Sequence, residues 1–270
     1  MTGAPIGIFD SGLGGLTVLK SLVRRFPWEG TVYFGDSGRA PYGTKSHDTI
    51  VRFAVQDLRF LLSQGVKVCV IACNTASAHA FEDIRNRTDI PVVEVIGPGA
   101  RAAVAATRNG RIGVIGTPAT IGSGVYRSAI EAAGGSSVRV FSQACPLFVG
   151  LAEEGWWDTD VTRRVAEIYL EPLAAAGVDT LVLGCTHYPL LASAISRVMG
   201  PSVRLIDSAD EVTAEVARLL SLTGLAADES GRPGLRRFYT SDSPDRFREL
   251  GQGFLETPID HAGKVEIEAY

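Results

Sequence analysis

Short apolar runs recur along the chain, each followed by turn-forming residues and then by an amphipathic helical pattern. Ile6-Gly7-Ile8-Phe9 predicts a strand, and Asp10-Ser11-Gly12-Leu13-Gly14-Gly15-Leu16-Thr17 predicts a tight turn opening a helix through Arg25. Thr31–Asp36 reads as the next strand, and Ser37–Lys45 as a loop rich in turn residues. Ser46 is placed to cap a long helix ending near Ser63. Val68–Ala72 is a third strand, ending in Cys73-Asn74-Thr75, with a helix from about Ser77 to Arg87. Pro91–Ile96 predicts a fourth strand that Gly97-Pro98-Gly99 breaks. Runs this continuously apolar suit a parallel sheet covered on both faces.

A second series repeats the first. Arg111–Thr117 echoes Ile6–Ser11, and Val138–Phe141 is a strand followed by Cys145. A stretch carrying Glu153, Glu154, Trp156 and Trp157 precedes a helix from about Asp160 to Ala176, and the tryptophans read as packing. Thr180–Leu183 is a buried strand that ends in Gly184-Cys185-Thr186-His187-Tyr188-Pro189, with a helix from Leu190 to Met199 and a strand at Val203–Asp207. The order of elements predicts two similar α/β halves, each with its cysteine strand third. A helix from about Asp210 to Leu222, a polar linker at 225–234, a strand at Arg237–Thr240, a helix from Pro244 to Leu250 and a weak strand pattern complete the chain.

The length of 270 residues allows a large core and two domains. A formal charge of −4 without a basic block gives nucleic acid no electrostatic footing. The first strand begins too early for a charged leader followed by an apolar stretch, and no apolar run reaches membrane-spanning length, so no membrane partner is expected. Four scattered cysteines form no disulfide framework, which points to a reducing cytoplasm.

The candidate chemistry lies at two matched strand ends. Cys73 and Cys185 each stand past an apolar strand among polar residues, whereas Cys69 and Cys145 read as core filling. Two thiols facing one carbon can take a proton from one side and return one to the other, inverting a carbon acid. Ser11, Asn74, Thr75 and Thr186 offer donors for a substrate carboxylate. Asp10, Glu153 and His187 are placed to tune the thiols. Other readings are a zinc site from Cys73, Cys185 and His187, which lacks paired ligand spacing, and a two-lobed binding protein that needs neither thiol. A hydrolase using Cys185 with His187 is a third, for which a separation of two residues is poor geometry.

Phe9–Gly15, Ala40-Pro41-Tyr42-Gly43, Ala72-Cys73-Asn74-Thr75 and Gly184–Leu190 together resemble the glutamate racemases of bacteria, within the aspartate/glutamate racemase superfamily. The resemblance runs from residue 6 to about 250. It implies an α/β fold of two lobes, each a mostly parallel sheet flanked by helices, with the site in the cleft. One lobe would hold residues 1–97 and 208–270, the other 98–207. It implies a cofactor-independent isomerase without a metal that interconverts L- and D-glutamate for peptidoglycan synthesis, as a homodimer. An aspartate-specific or broader racemase is the alternative. Cys73 resembles the base for D-glutamate and Cys185 the base for L-glutamate. Asp10 and His187 resemble assisting groups, and Glu153 the partner of His187. Asp10, Ser11, Tyr42, Gly43, Asn74, Thr75, Thr186 and His187 resemble substrate contacts. Gly38 stands where alanine is common, and Gly150 where proline is common, which loosens the approach to Glu153.

Overall fold

The computed structural model describes residues 2–228 and 232–270. In chain order, β1 (Ile6–Asp10), α1 (Leu16–Arg25), β2 (Thr31–Gly35), α2 (His47–Ser63), β3 (Val68–Ile71), α3 (Asn74–Arg85), β4 (Val92–Glu94) and α4 (Ile96–Ala106) form the first series. The second is β5 (Arg111–Gly116), α5 (Pro118–Gly122), α6 (Val125–Gly134), β6 (Arg139–Ala144), α7 (Leu147–Glu153), α8 (Asp160–Ala175), β7 (Thr180–Gly184), α9 (Ala192–Met199) and β8 (Arg204–Asp207). The chain then adds α10 (Ser208–Thr223), β9 (Arg236–Thr240), α11 (Pro244–Leu255) and β10 (Gly263–Lys264).

The strands make two sheets, ordered β10-β9-β2-β1-β3-β4 and β6-β5-β7-β8, and every pairing is parallel. The runs β2-β1-β3-β4 and β6-β5-β7-β8 have the same connectivity, so the expected repeat is real at the level of topology. Its register is equivalent too: Ile6 pairs with Val68, and Ile112 with Thr180. Cys73 and Cys185 lie equally far along the chain beyond those partners. Both therefore emerge beside the central strand of their sheet, where connections leave in opposite directions and a crevice opens.

Alternation of side chains sorts the core. Ile6, Ile8, Val68 and Val70 of the first sheet, with Ile112, Val114 and Val182 of the second, join one cluster that includes residues of α1, α4 and α10. Phe9, Cys69 and Ile71 point the other way, toward α2 and α3. Ile115, Leu181 and Leu183 face α7, α8 and α9, in the cluster that also holds Cys145.

Several boundaries differ from the sequence reading. The helix expected from Ser77 begins at Asn74, because Cys73 itself caps it: its sulfur accepts the Ala76 N–H at 3.4 Å. Ser46 precedes α2 but does not cap it, since its hydroxyl meets that of Thr49 at 3.0 Å. Gly97-Pro98-Gly99 breaks nothing and lies in the first turn of α4, where proline's missing N–H costs no helical bond and Glu94 accepts the N–H of Ile96 and Gly97. A helix, α7, occupies residues read as irregular, and it runs straight through Gly150. The last helix continues to Leu255 because Gly251 is a packing glycine: a Cβ there would lie 2.9 Å from Ile259 and 3.0 Å from Leu16. Trp156 stays 47 % exposed rather than packed, while the Trp157 indole donates to the Ala152 carbonyl at 2.9 Å.

The expected linker is partly anchored. Lys67 and Glu29 form a fully buried ion pair at 2.6 Å. Lys67 also donates to the Leu225 carbonyl, and Glu29 accepts the Ala227 N–H. Residues 229–231 lie outside the described residues. Lys67→Met, which strands a buried carboxylate, is expected to cost about 3–5 kcal/mol in urea unfolding, and adding Glu29→Leu to recover most of it. A double variant no more stable than the single one would contradict this.

Candidate active site

The turn after β1 is built on Asp10, whose Oδ2 accepts the Gly12 N–H at 2.9 Å. The turn then passes so close to the other sheet that a Cβ on Gly14 would lie 2.1 Å from Thr186 Oγ1 and 2.6 Å from His187 Nδ1. Thr186 donates to Asp10 Oδ1 at 3.3 Å, so one buried carboxylate ties the two strand ends together. Gly184 lets β7 close on β5, since a Cβ there would stand 2.6 Å from the Ile115 carbonyl.

Ser11, Tyr42, Gly43, Cys73, Asn74, Thr75, Glu153, Cys185, Thr186 and His187 all line one cavity of about 30 Å³. Asp10 does not. It is fully buried, with its carboxylate bonded to Gly12 and Thr186 of that lining and its charge acting on Cys73 and His187. Tyr42 lines the cavity while its hydroxyl bonds Asp36 and Asp57. Asn74 Oδ1 accepts from the Tyr126 hydroxyl at 2.6 Å, which turns its amide NH2 the other way. The Thr75 hydroxyl lies 3.0 Å from those of Thr117 and Thr120.

Sequence reasoning missed Gly12, Ala40, Pro41, Thr117 and Val149 among the lining residues. The echo of Ile6–Ser11 in Ile112–Thr117 held a signal for Thr117, which stands in the second half where Ser11 stands in the first. Thr117 also closes the cavity, since a Cβ on Gly43 would meet its Cβ at 2.5 Å. Outside lies an open depression of about 440 Å³ that shares Gly12, Ala40, Pro41, Val149 and Glu153 and adds Arg246 of α11.

The two thiols have different surroundings. Cys73 is buried, and its thiol is pushed up to about 12, first by desolvation and then by the nearby Asp10 charge. The Ala76 N–H and the Ser11 hydroxyl, 3.6 Å away, pull less strongly the other way. Cys185 Sγ lies 3.7 Å from His187 Nδ1, while His187 Nε2 meets Glu153 Oε1 at 3.2 Å. A separation of two residues is thus no obstacle to contact, because the chain turns sharply after Gly184. Burial alone would push His187 down, but its bonds to Cys185 and Glu153 and the Asp10 charge outweigh this and raise it to about 10. Glu153 is held below the usual carboxylate range, first by the His187 bond and more weakly by Arg246. One sulfur thus faces a cation, while the other, pushed up, holds its proton. Among the described residues no group of three or more His, Cys, Asp or Glu is arranged to hold a metal ion.

The doubled α/β topology brings two thiols from equivalent strand ends to one cavity. The chain matches the Asp/Glu/Hydantoin racemase family over residues 6–216 and belongs to it. It is 49 % identical to a glutamate racemase of Geobacter metallireducens, over 98 % of this chain and 97 % of that one. The crystal structure of a glutamate racemase isoform from Bacillus anthracis superposes with a TM-score of 0.94 at 38 % identity, over 98 % of both chains. The Francisella tularensis glutamate racemase, solved in complex with D-glutamate, gives 0.93 at 38 % identity over 100 % of both.

Two predictions follow from this geometry. Gly43→Ala should wedge the cavity walls apart at Thr117 and lower kcat/KM roughly 5- to 150-fold, and an unchanged value would show that the contact is not needed. His187, raised above its ordinary 6.5, binds its proton more tightly in the folded protein. Its stabilisation is therefore complete below about pH 6.5 and is lost as pH climbs through about 10. Thermal unfolding of the protein against His187→Gln across that window checks this, and a constant difference would contradict a charged His187.

Proposed function

We propose that the protein interconverts L- and D-glutamate by moving the α-proton between two cysteines on opposite faces of the substrate. One observation carries the reading: two thiols from equivalent ends of duplicated half-sheets line a single small cavity. With L-glutamate bound, the Cys185 thiolate takes the α-proton and becomes a thiol. The Cys73 thiol gives its proton to the opposite face and becomes a thiolate. The reverse assignment serves D-glutamate. His187, held by Glu153, supports the charge on Cys185, and Asp10 is set to do so for the proton on Cys73. Ser11, Asn74, Thr75 and Thr186, with the main chain at Tyr42 and Gly43, receive the carboxylates. Asn74 and Thr75 open α3, so an anion there also meets a helix N-terminus.

A cavity of about 30 Å³ has room for one or two water molecules. The lobes, taken as 1–97 with 208–270 and as 98–207, must therefore part at the Gly43–Thr117 contact to admit substrate from the outer depression. Arg246 gives that entrance a cation for a dicarboxylate. Every step uses side chains of this chain, so turnover needs no added cofactor or metal. Supply of D-glutamate to peptidoglycan synthesis in the cytoplasm, by a homodimer, completes the reading. Among the described residues no helix is long and apolar enough to cross a membrane.

Circular dichroism of purified protein with each enantiomer and no cofactor tests the activity, which should survive exhaustive chelation. Activity lost on chelation and restored by a metal would refute it, and comparable kcat/KM for aspartate would favour the broader racemase. Cys73→Ser and Cys185→Ser should each lose at least about 100-fold in racemisation. Their residual exchange in deuterated water should differ: Cys73→Ser keeps L-glutamate exchange, and Cys185→Ser keeps D-glutamate exchange. Equal residues of activity toward both enantiomers would leave a one-base mechanism.

A further inference from the structure

Behind the Ala40–Gly43 wall of the cavity lies a buried polar cluster that the proton transfer does not use. Asp36 and Asp57 are wholly inaccessible to solvent, and the Arg39 side chain is nearly so. Asp36 Oδ2 accepts from Arg39 Nε at 2.7 Å and from the Tyr42 hydroxyl, and its Oδ1 accepts from Ser241 at 2.7 Å. Asp57 Oδ1 accepts from Arg39 Nη2 at 3.1 Å. Asp57 Oδ2 lies 2.9 Å from the same Tyr42 oxygen.

Proton counting restricts what this arrangement can be. A tyrosine hydroxyl carries one proton and cannot donate it to two carboxylates. Three donors converge on Asp36, one of them the Arg39 guanidinium, so Asp36 is the accepting side of the cluster. The contact between Tyr42 and Asp57 then needs a second proton, and the only oxygen free to carry it is Asp57 Oδ2. Charge agrees, since one guanidinium balances one carboxylate and a second buried anion would be left uncompensated.

We propose that Asp57 is a neutral carboxylic acid that donates to Tyr42 and thereby positions the Ala40–Gly43 loop for substrate. The chain of donors runs from Asp57 to the Tyr42 oxygen, from the Tyr42 hydroxyl to Asp36, and from Arg39 to both acids. It fixes the tyrosine ring from behind, and Gly43 is held against Thr117 as a result. Burial pushes the Asp57 carboxyl up, Asp36 and the more distant Asp10 add to this, and Arg39 and Tyr42 oppose it less strongly. Cys69, on β3, also lies within reach of Asp57 and is fully buried. The positioning role deepens the glutamate racemase reading and rests on it for its kinetic consequence alone.

Infrared spectroscopy of the purified protein at neutral pH reads the proton directly. The carbonyl stretch of a neutral acid should be present and should disappear in Asp57→Asn. An amide has the same pattern, one donor toward Tyr42 and one acceptor toward Arg39, so Asp57→Asn should retain the melting temperature. Asp36→Asn, which removes the carboxylate partner of Arg39, should lower it. In turnover, Asp57→Asn should keep KM, whereas Asp57→Ala should raise KM about tenfold or more with kcat within about threefold. If Asp57→Ala does not fold, Tyr42→Phe, which removes a single oxygen, is expected to give the same split. Absence of the Asp57-dependent band, or a melting order reversed between the two Asn variants, overturns the proton assignment whether or not glutamate turns over. A KM that rises equally in Asp57→Asn and Asp57→Ala overturns the positioning role.

Discussion

Where the two sheets meet, Gly14 lies against Thr186 and His187 with no room for a side chain. That approach governs the rest of the site. It brings the end of β1 to the end of β7, so that Asp10 accepts from Gly12 of its own turn and from Thr186 of the other half. The Thr17 hydroxyl, which donates to the Gly14 carbonyl at 2.9 Å, lies 3.3 Å from the Thr186 carbonyl across the same seam. A buried carboxylate with donors from both sides is costly to break, because either half alone would leave it undersatisfied. The seam between the halves is thus tied at one edge of the cavity by Asp10, and at the opposite edge Gly43 touches Thr117, whose hydroxyl lies 3.0 Å from that of Thr75.

The four thiols have unlike surroundings. Cys69 sits mid-strand in an apolar cluster, and Cys145, one residue past β6, lies beneath Tyr188, whose hydroxyl bonds its carbonyl. Cys73 and Cys185 touch those same clusters but also line the cavity, each beside the central strand of its sheet. Cysteine is an unusual N-cap, and here the side chain that caps α3 also lines the cavity.

Much of the fold was legible because apolar runs of strand length separated by amphipathic helices admit few arrangements. The cysteines, His187 and Thr186 were legible for the same reason, since they follow such runs directly. Helix α7 was not, because a short helix interrupted by Gly150 has too few turns to show a period, and Glu153 was placed through resemblance alone. Nor could the sequence show that Asp10 bonds across to the other half or that Tyr42 turns its hydroxyl inward. Both outcomes depend on partners distant in the chain, Thr186 for the one and Asp57 for the other. Gly251 misled in the opposite sense: it ended a helix on paper and closes a helix–helix contact in the fold.

The unequal settings of the two sulfurs have a thermodynamic limit. L- and D-glutamate are mirror images with the same free energy in water, so their equilibrium constant is one. The ratio of kcat/KM in the two directions must then also be one, however differently Cys73 and Cys185 are held. What asymmetry can change is the split within each direction. In the proposed two-thiol mechanism, a thiol beside Asp10 and a sulfur that faces a cation would make one Michaelis complex deeper than the other. The enantiomer bound in the deeper well would show both a lower KM and a lower kcat, in equal proportion. The duplicated half-sheets thus supply a nearly symmetric frame, and the carboxylate on one side and imidazolium on the other set how far the bound states, but not the net reaction, depart from that symmetry.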